Sequence, residues 1–288
     1  MDKNLDNLIL KGEEIFNLEC DDLHIIQDKK GYMFTTDAVI LSNMIKASSK
    51  ETVVDLGTGS GVIPLLVSAK TKAKKIYGIE IQKRLYDMAK RSVRYNNLED
   101  KIEILNLDIR AAHKHLGKET IDVVVSNPPY MQVKKHELTN YIRKNIEEKI
   151  KQNAYLDPNK LDELFNENEK LTETINCKTE MLITLDEIVN EASKLLKYGG
   201  KFYCIVKSER LTDLMVSMRN YLLEPKIILP IQPSENKAID TVIVQAKKNG
   251  KSGVKILKPL VITKGDGTYT KQVHSMYYSN YDKENKIT

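Results

Sequence analysis

The sequence has no CxxC pair, no apolar run long enough to cross a membrane, and no basic, cleavable leader. Each absence excludes something. The three cysteines, Cys20, Cys177 and Cys204, are far apart and odd in number. They read as free, buried thiols in a reducing cytosol rather than as a disulfide framework. A zinc site is not expected either: His113 and His115 stand two residues apart, which on a helix turns them to different faces. A membrane helix needs about 20 consecutive apolar residues, and none occurs. Met1 to Leu10 mixes acids with apolar residues, so no signal peptide is expected. The G-x-G-x-x-G dinucleotide fingerprint is also missing, because Val62 stands where its last glycine belongs.

The 288 residues are enough for one large domain or two small ones. Hydrophobic content of 41% with 30% charged residues fits a water-soluble globular chain. The net charge of +5 is modest, but Lys247 to Thr288 holds nine lysines against three acids, 9 − 3 = +6. The rest of the chain is therefore near neutral. A basic carboxyl-terminal stretch fits a polyanionic partner, and equally a solvated lysine-rich tail.

Short β-branched runs alternate with helical patterns. Leu23 to Gln27 reads as a strand, Asp28 to Gly31 as a turn, and Ala38 to Ile45 as a helix capped by Thr35 or Thr36. Thr52 to Leu56, Lys75 to Glu80, Lys101 to Leu107 and Ile121 to Ser126 read as strands, with a helix over Gln82 to Asn96. Such alternation predicts a parallel sheet with helical crossovers. It stops at Tyr130. Met131 to Glu180 reads as an inserted helical hairpin, its first arm basic and its second acidic; a disordered loop is the alternative. A helix from Thr184 to Leu196, opened by a Thr184/Glu187 capping box and closed by Tyr198-Gly199-Gly200, resumes the pattern. A strand from Lys201 to Val206 and a helix from Ser208 to Tyr221 follow. The last two strands are Pro225 to Ile231 and Ala238 to Ala246, with a loop over Gln232 to Asn236 and disorder from Tyr278.

Four strand ends carry the chemistry. Asp55-Leu56-Gly57-Thr58-Gly59-Ser60-Gly61 is a strand-to-helix turn in which glycines permit tight geometry and close approach of a ligand. The acid ahead of it argues for a cationic or amine-bearing ligand. Glu80 can accept both hydroxyls of a ribose, and Asp108 can accept from an adenine amine. At the fourth strand end stands Asn127-Pro128-Pro129-Tyr130. Two prolines stiffen it and leave carbonyl and amide oxygens beside an aromatic ring, acceptors and a stacking face for a flat amine.

These residues resemble class I, Rossmann-like methyltransferases that depend on S-adenosyl-L-methionine. The Asn127 to Tyr130 motif is similar to the signature of enzymes that methylate a planar amine. The block from Gln27 to Leu41, with Glu209-Arg210-Leu211 and Val242-Ile243-Val244, resembles more closely the bacterial adenine-N6 methyltransferases that act on the anticodon loop of a valine tRNA. That subgroup's Arg-His-Glu-like triplet stands here as Lys178-Thr179-Glu180, without the histidine.

The resemblance implies an α/β fold: a seven-stranded sheet, mostly parallel, with an antiparallel last strand and a helical insertion. It implies an amino-terminal cap over 1–34, a methyltransferase domain over 35–250 with the insertion at about 131–180, and a basic extension over 251–288. Cofactor contacts are expected from Asp55, Gly57, Thr58, Gly59, Gly61, Glu80, Ile81, Asp108, Ile109, Asn127, Thr35 and Asp37. Asn127, Pro128, Pro129 and Tyr130 are expected to carry the reaction. A tRNA is the expected partner, in the cytoplasm, with no metal, no membrane and a monomeric chain favoured. The alternatives are a DNA adenine-N6 or protein glutamine methyltransferase, and a non-catalytic cofactor-binding module that binds RNA.

Overall fold

The computed structural model describes residues 8–29, 33–128 and 183–277. The expected helical hairpin, Pro129, Tyr130, Cys177 and the tail from Tyr278 lie outside those residues. The chain opens with a two-stranded antiparallel hairpin, β1 (Glu13–Asn17) and β2 (His24–Asp28). Helix α1 (Thr36–Met44) leads into β3 (Thr52–Leu56), α2 (Val62–Lys70), β4 (Lys75–Glu80), α3 (Lys83–Tyr95) and β5 (Ile102–Asn106). After a short α4 (Ala112–Leu116) come β6 (Ile121–Ser126), α5 (Leu185–Leu195), β7 (Leu196–Lys207) and α6 (Leu211–Asn220). Then β8 (Leu223–Ser234), β9 (Thr241–Lys248), β10 (Lys255–Ile256), β11 (Leu260–Thr263) and α7 (Lys271–Tyr277) complete the described chain.

The main sheet runs β10-β8-β9-β7-β6-β3-β4-β5, with β11 also paired to β8. Only β9 runs antiparallel to its neighbours. The mostly parallel sheet and its antiparallel strand are as expected; among the described residues its strands number nine rather than seven. The two extra strands come from the basic stretch after Lys248, whose polar composition hides Leu260, buried against β8. Three further boundaries differ. Tyr198-Gly199-Gly200 does not end a helix but lies inside β7, which begins at Leu196. Gln232 to Ser234 continue β8 instead of forming a loop. Strand β1 carries no clean alternation and was not anticipated.

Both faces of the sheet are buried, as a parallel sheet requires. Val53, Val123, Val125, Tyr203 and Ile205 point to one core with α1 and α2. Val54, Leu56, Val124, Phe202, Cys204 and Val206 point to the other with α5 and α6. This period-two register puts Asp55 on the face of Val53, at a position otherwise filled by apolar side chains.

The amino-terminal hairpin is tied to α3. The Arg91 guanidinium donates to both carboxylate oxygens of Glu13, one at 2.7 Å, and the Ser92 hydroxyl accepts from the Ile26 amide at 2.9 Å. Burial acts to raise the Glu13 pKa, but bonds from Arg91 and the Leu10 amide hold it below the ordinary carboxylate range. Replacing Glu13 by alanine leaves a largely buried guanidinium with only Asp87 and the Leu8 carbonyl as partners, and should cost about 2 kcal/mol. Thermal or urea unfolding at neutral pH measures this. The gap between wild type and Glu13→Ala should close as pH falls through the carboxylate range, because protonation removes the same interaction.

Candidate active site

The glycine turn forms where β3 must pass into α2 within five residues. Gly57, Gly59 and Gly61 all have positive φ, at 81°, 58° and 89°, the region where other residues are strained. At Gly61 a side chain would also meet the Ala89 Cβ at 3.1 Å, whereas the space beside Gly59 is open. The Gly57 and Thr58 amides both donate to the Ile79 carbonyl, at 3.0 and 2.9 Å. The Glu80 carboxylate accepts from the Gly59 amide at 2.9 Å and from the Gln82 amide at 2.8 Å. One carboxylate thus holds the glycine turn and the end of β4 together. The Asn106 amide group completes the staple, donating to the Glu80 carbonyl at 2.8 Å and the Ile81 carbonyl at 3.1 Å.

Over this turn lies a cavity open to solvent, about 830 Å³ of empty space when its open mouth is counted. Of the expected site residues, Thr35, Gly57, Thr58, Gly59, Glu80, Ile81, Ile109, Asn127 and Pro128 line it. Asp55, Gly61, Asp37 and Asp108 do not appear in its walls. Gly61 instead serves α2 as its N-cap. Asp108 caps the short turn after β5, and its carboxylate accepts from the Arg110 guanidinium, the shortest bond being 2.6 Å. That partner holds its pKa below the ordinary range. A ligand amine at Asp108 would share this carboxylate with the Arg110 guanidinium. Thr35 stands at the N-cap of α1 but makes no side-chain capping bond.

Ten lining residues lie outside the expected set, among them Phe34, Ser60, Ile183 and Ile188. Phe34 precedes Thr35, and Ser60 accepts from the buried Gln27 amide at 2.7 Å, linking the amino-terminal hairpin to the glycine turn. Ile183 and Ile188 flank the Thr184/Glu187 capping box, which is present in full. They occupy the N′ and N4 positions, where an apolar pair staples a helix start. The capping box carried that signal. Ile81, Ile109, Ile183 and Ile188 therefore give the cavity apolar walls suited to a flat ring.

Asp55 is fully buried, and neither carboxylate oxygen has a hydrogen-bond partner among the described residues. Burial raises its pKa to about 7, and the Glu80 carboxylate adds to the rise; the Thr58 hydroxyl lies near enough to oppose it. The Thr58 hydroxyl is itself buried and makes no geometrically formed hydrogen bond. Native proteins rarely leave such a group of acceptors unserved. What is missing is a donor or a positive charge. The residues fit a nucleoside with a cationic tail: apolar walls for the base, Glu80 for hydroxyls, and an unsatisfied acid behind the glycine turn.

Comparison with known proteins agrees with this fit. Residues 34–156 match the family model described as Methyltransferase small domain. A tRNA1(Val) (adenine(37)-N6)-methyltransferase from Actinobacillus pleuropneumoniae serotype 7 is 28% identical over 107 residues, 37% of this chain and 44% of that protein. A ribosomal protein L11 methyltransferase from Carboxydothermus hydrogenoformans is 34% identical over 113 residues, 37% of this chain and 35% of that protein. The alignments thus span less than half the length of these curated relatives. The crystal structure of a predicted O-methyltransferase from Agrobacterium tumefaciens superimposes with a TM-score of 0.60 at 17% identity, covering 84% of this chain and 95% of that one. The resemblance to S-adenosylmethionine-dependent methyltransferases, stated from the motifs, is borne out by these matches. Among the described residues, no helix is long and apolar enough to cross a membrane.

Asp55→Asn tests the electrostatics. In the ligand-free protein, a pKa of about 7 against an ordinary 3.8 means that stability from this group is full below pH 4 and is lost as pH rises toward 7. The substitution should therefore raise the ligand-free melting temperature at pH 8. A cationic ligand favours the ionised carboxylate, so wild-type affinity for S-adenosylmethionine should fall by up to about tenfold per pH unit below the pKa. Asp55→Asn should bind more weakly at pH 8 and lose most of that pH dependence. Titrations between pH 6 and 8 measure both.

Proposed function

We propose that the protein transfers a methyl group from S-adenosylmethionine to the N6 amine of an adenine in RNA, in the anticodon loop of a tRNA. The observation that carries this reading is that Asn127 and Pro128, at the carboxyl end of β6, line the same cavity as the glycine turn and Glu80. Strands β3 and β6 are neighbours, so the two halves of the site share one edge of the sheet, where open α/β sheets bind ligands. The match to tRNA1(Val) (adenine(37)-N6)-methyltransferases supports the choice of substrate.

The bound cofactor supplies an electrophilic methyl group. The protein's part is positioning and electrostatics. Adenine N6 is a poor nucleophile because its lone pair is delocalised into the ring. The Asn127 amide oxygen and the Pro128 carbonyl accept the two N6 hydrogens, which favours a pyramidal, more nucleophilic nitrogen as charge develops. Holding that nitrogen against the methyl group supplies much of the acceleration. The Tyr130 ring stacks on the base in this reading. Glu80 and the apolar walls hold the nucleoside part of the cofactor. A base in an anticodon loop is partly unstacked already, which lowers the cost of drawing it into the cavity.

The test is methyl transfer from labelled S-adenosylmethionine to unmodified total tRNA, with nucleoside mass spectrometry. The product should be N6-methyladenosine. Label recovered in protein amino acids and absent from nucleosides would overturn the reading in favour of a protein substrate, the type named for the Carboxydothermus relative. In the same assay Asn127→Ala should lower single-turnover transfer about a hundredfold or more, with cofactor affinity within twofold of wild type.

A further inference from the structure

The stretch after β9 returns to the candidate site. Strand β11 adds parallel to β8, so its carboxyl end lies on the same edge as those of β3, β4 and β6. The turn that follows is closed by the Lys264 amide donating to the Thr268 carbonyl at 2.8 Å, and Tyr269 then pairs with Thr263. Helix α7 packs on α1 through the fully buried Val273, and the Asn43 amide group donates to the Met276 carbonyl at 3.2 Å. These contacts bring Tyr269 and Tyr277 together, ring centroids 5.4 Å apart and planes 15° from parallel.

Both tyrosine hydroxyls meet on one atom of α1. The Tyr277 hydroxyl donates to Thr36 Oγ1 at 3.1 Å, and the Tyr269 hydroxyl lies 3.4 Å from the same oxygen. Thr36 is the next residue after Phe34 and Thr35, which line the cavity. The ring pair therefore meets α1 one residue beyond the cavity's lining, on the sheet edge that also carries the end of β6. The two rings are not equivalent. Tyr277 is partly buried against the core beside α1, whereas Tyr269 remains 40% exposed with one face already covered by its partner. Exposed Lys264 and Lys271 flank Tyr269 in the chain, and the equally exposed Asp266 accepts from the Thr268 amide and hydroxyl.

A tether to Thr36 alone would need no exposed ring. An exposed aromatic ring backed flat by a second ring, near the candidate cavity and with exposed lysines five residues before and two after it in the chain, suits a base whose phosphates need cations. We propose that Tyr269, backed by Tyr277, is a stacking subsite for an unpaired RNA base neighbouring the target nucleotide. This rests on the RNA reading given above. The subsite would select substrates whose flanking base is unpaired, because a duplex base offers no free face. Its rigidity is prepaid by the Tyr277 stack and the Thr36 contact, so little conformational freedom is lost on binding.

The experiment uses the full chain, unmodified tRNA and a single-stranded oligoribonucleotide of the anticodon loop. RNA affinity, S-adenosylmethionine affinity and single-turnover methyl transfer are each measured. Tyr269→Ala should weaken affinity for both RNAs about tenfold or more, with S-adenosylmethionine affinity unchanged. Tyr269→Phe, which keeps the ring and loses the long contact to Thr36, should bind RNA within twofold of wild type. Tyr269→Leu, which still covers Tyr277, should match Tyr269→Ala. RNA affinity unchanged in Tyr269→Ala would overturn the proposal, as would equal losses in Tyr269→Ala and Tyr269→Phe. Wild-type RNA binding that depends on Tyr269 without methyl transfer would keep the subsite and overturn the proposed reaction. Absence of wild-type RNA binding would overturn both.

Discussion

A carboxylate sits where the sheet's register calls for a hydrophobic side chain. Asp55 occupies a core-facing position of β3, fully buried and without a donor among the described residues. Isolated buried charge is costly, and the group responds by shifting its pKa to about 7. The surrounding structure is built to keep that cost in place. The Ser126 hydroxyl donates to the Leu56 carbonyl at 2.8 Å, locking β6 to the strand end beside Asp55. The Glu80 carboxylate fixes the glycine turn that runs on from it. In the proposed reading, a ligand that brings positive charge completes the buried acid.

Segments far apart in the chain supply the rest of the site. Gln27 reaches from the amino-terminal hairpin to Ser60, so the hairpin bears on the glycine turn as well as on α3. The start of α5 contributes the isoleucine pair that closes one wall. The carboxyl-terminal strands and α7 wrap the opposite side of the molecule and return to α1 through two tyrosines. Each of these segments is anchored by a contact that a single side chain decides: Arg91 with Glu13, Thr184 with Glu187, and Tyr277 with Thr36. The cavity is thereby framed by rigid elements, which is what a positioning mechanism needs.

Much of this was legible in the chain itself. The strands from Thr52 to Ser126 are short, β-branched and separated by clear helical periods, so their ends, and with them Gly57, Glu80 and Asn127, could be located. The capping box at Thr184 was legible for the same local reason. Contacts that depend on tertiary folding were not. Gly199 and Gly200 look like a helix stop, but they lie in an irregular stretch of β7, between its pairings with β6 at Leu196 and at Lys201. Strands β10 and β11 are short and lysine-flanked, and they form because β8 offers an edge, a property of the sheet and not of their own sequence.

The measurement that bears most directly on this account is calorimetry of S-adenosylmethionine binding at pH 6.5 in buffers of different ionisation enthalpy, for wild type and Asp55→Asn. A carboxyl with a pKa of about 7 is mostly protonated at that pH. If ligand charge completes the buried acid, wild-type binding should release roughly three-quarters of a proton, and Asp55→Asn close to none. Equal proton release by the two proteins, or none by wild type despite binding, would contradict the claim that the site is organised around Asp55.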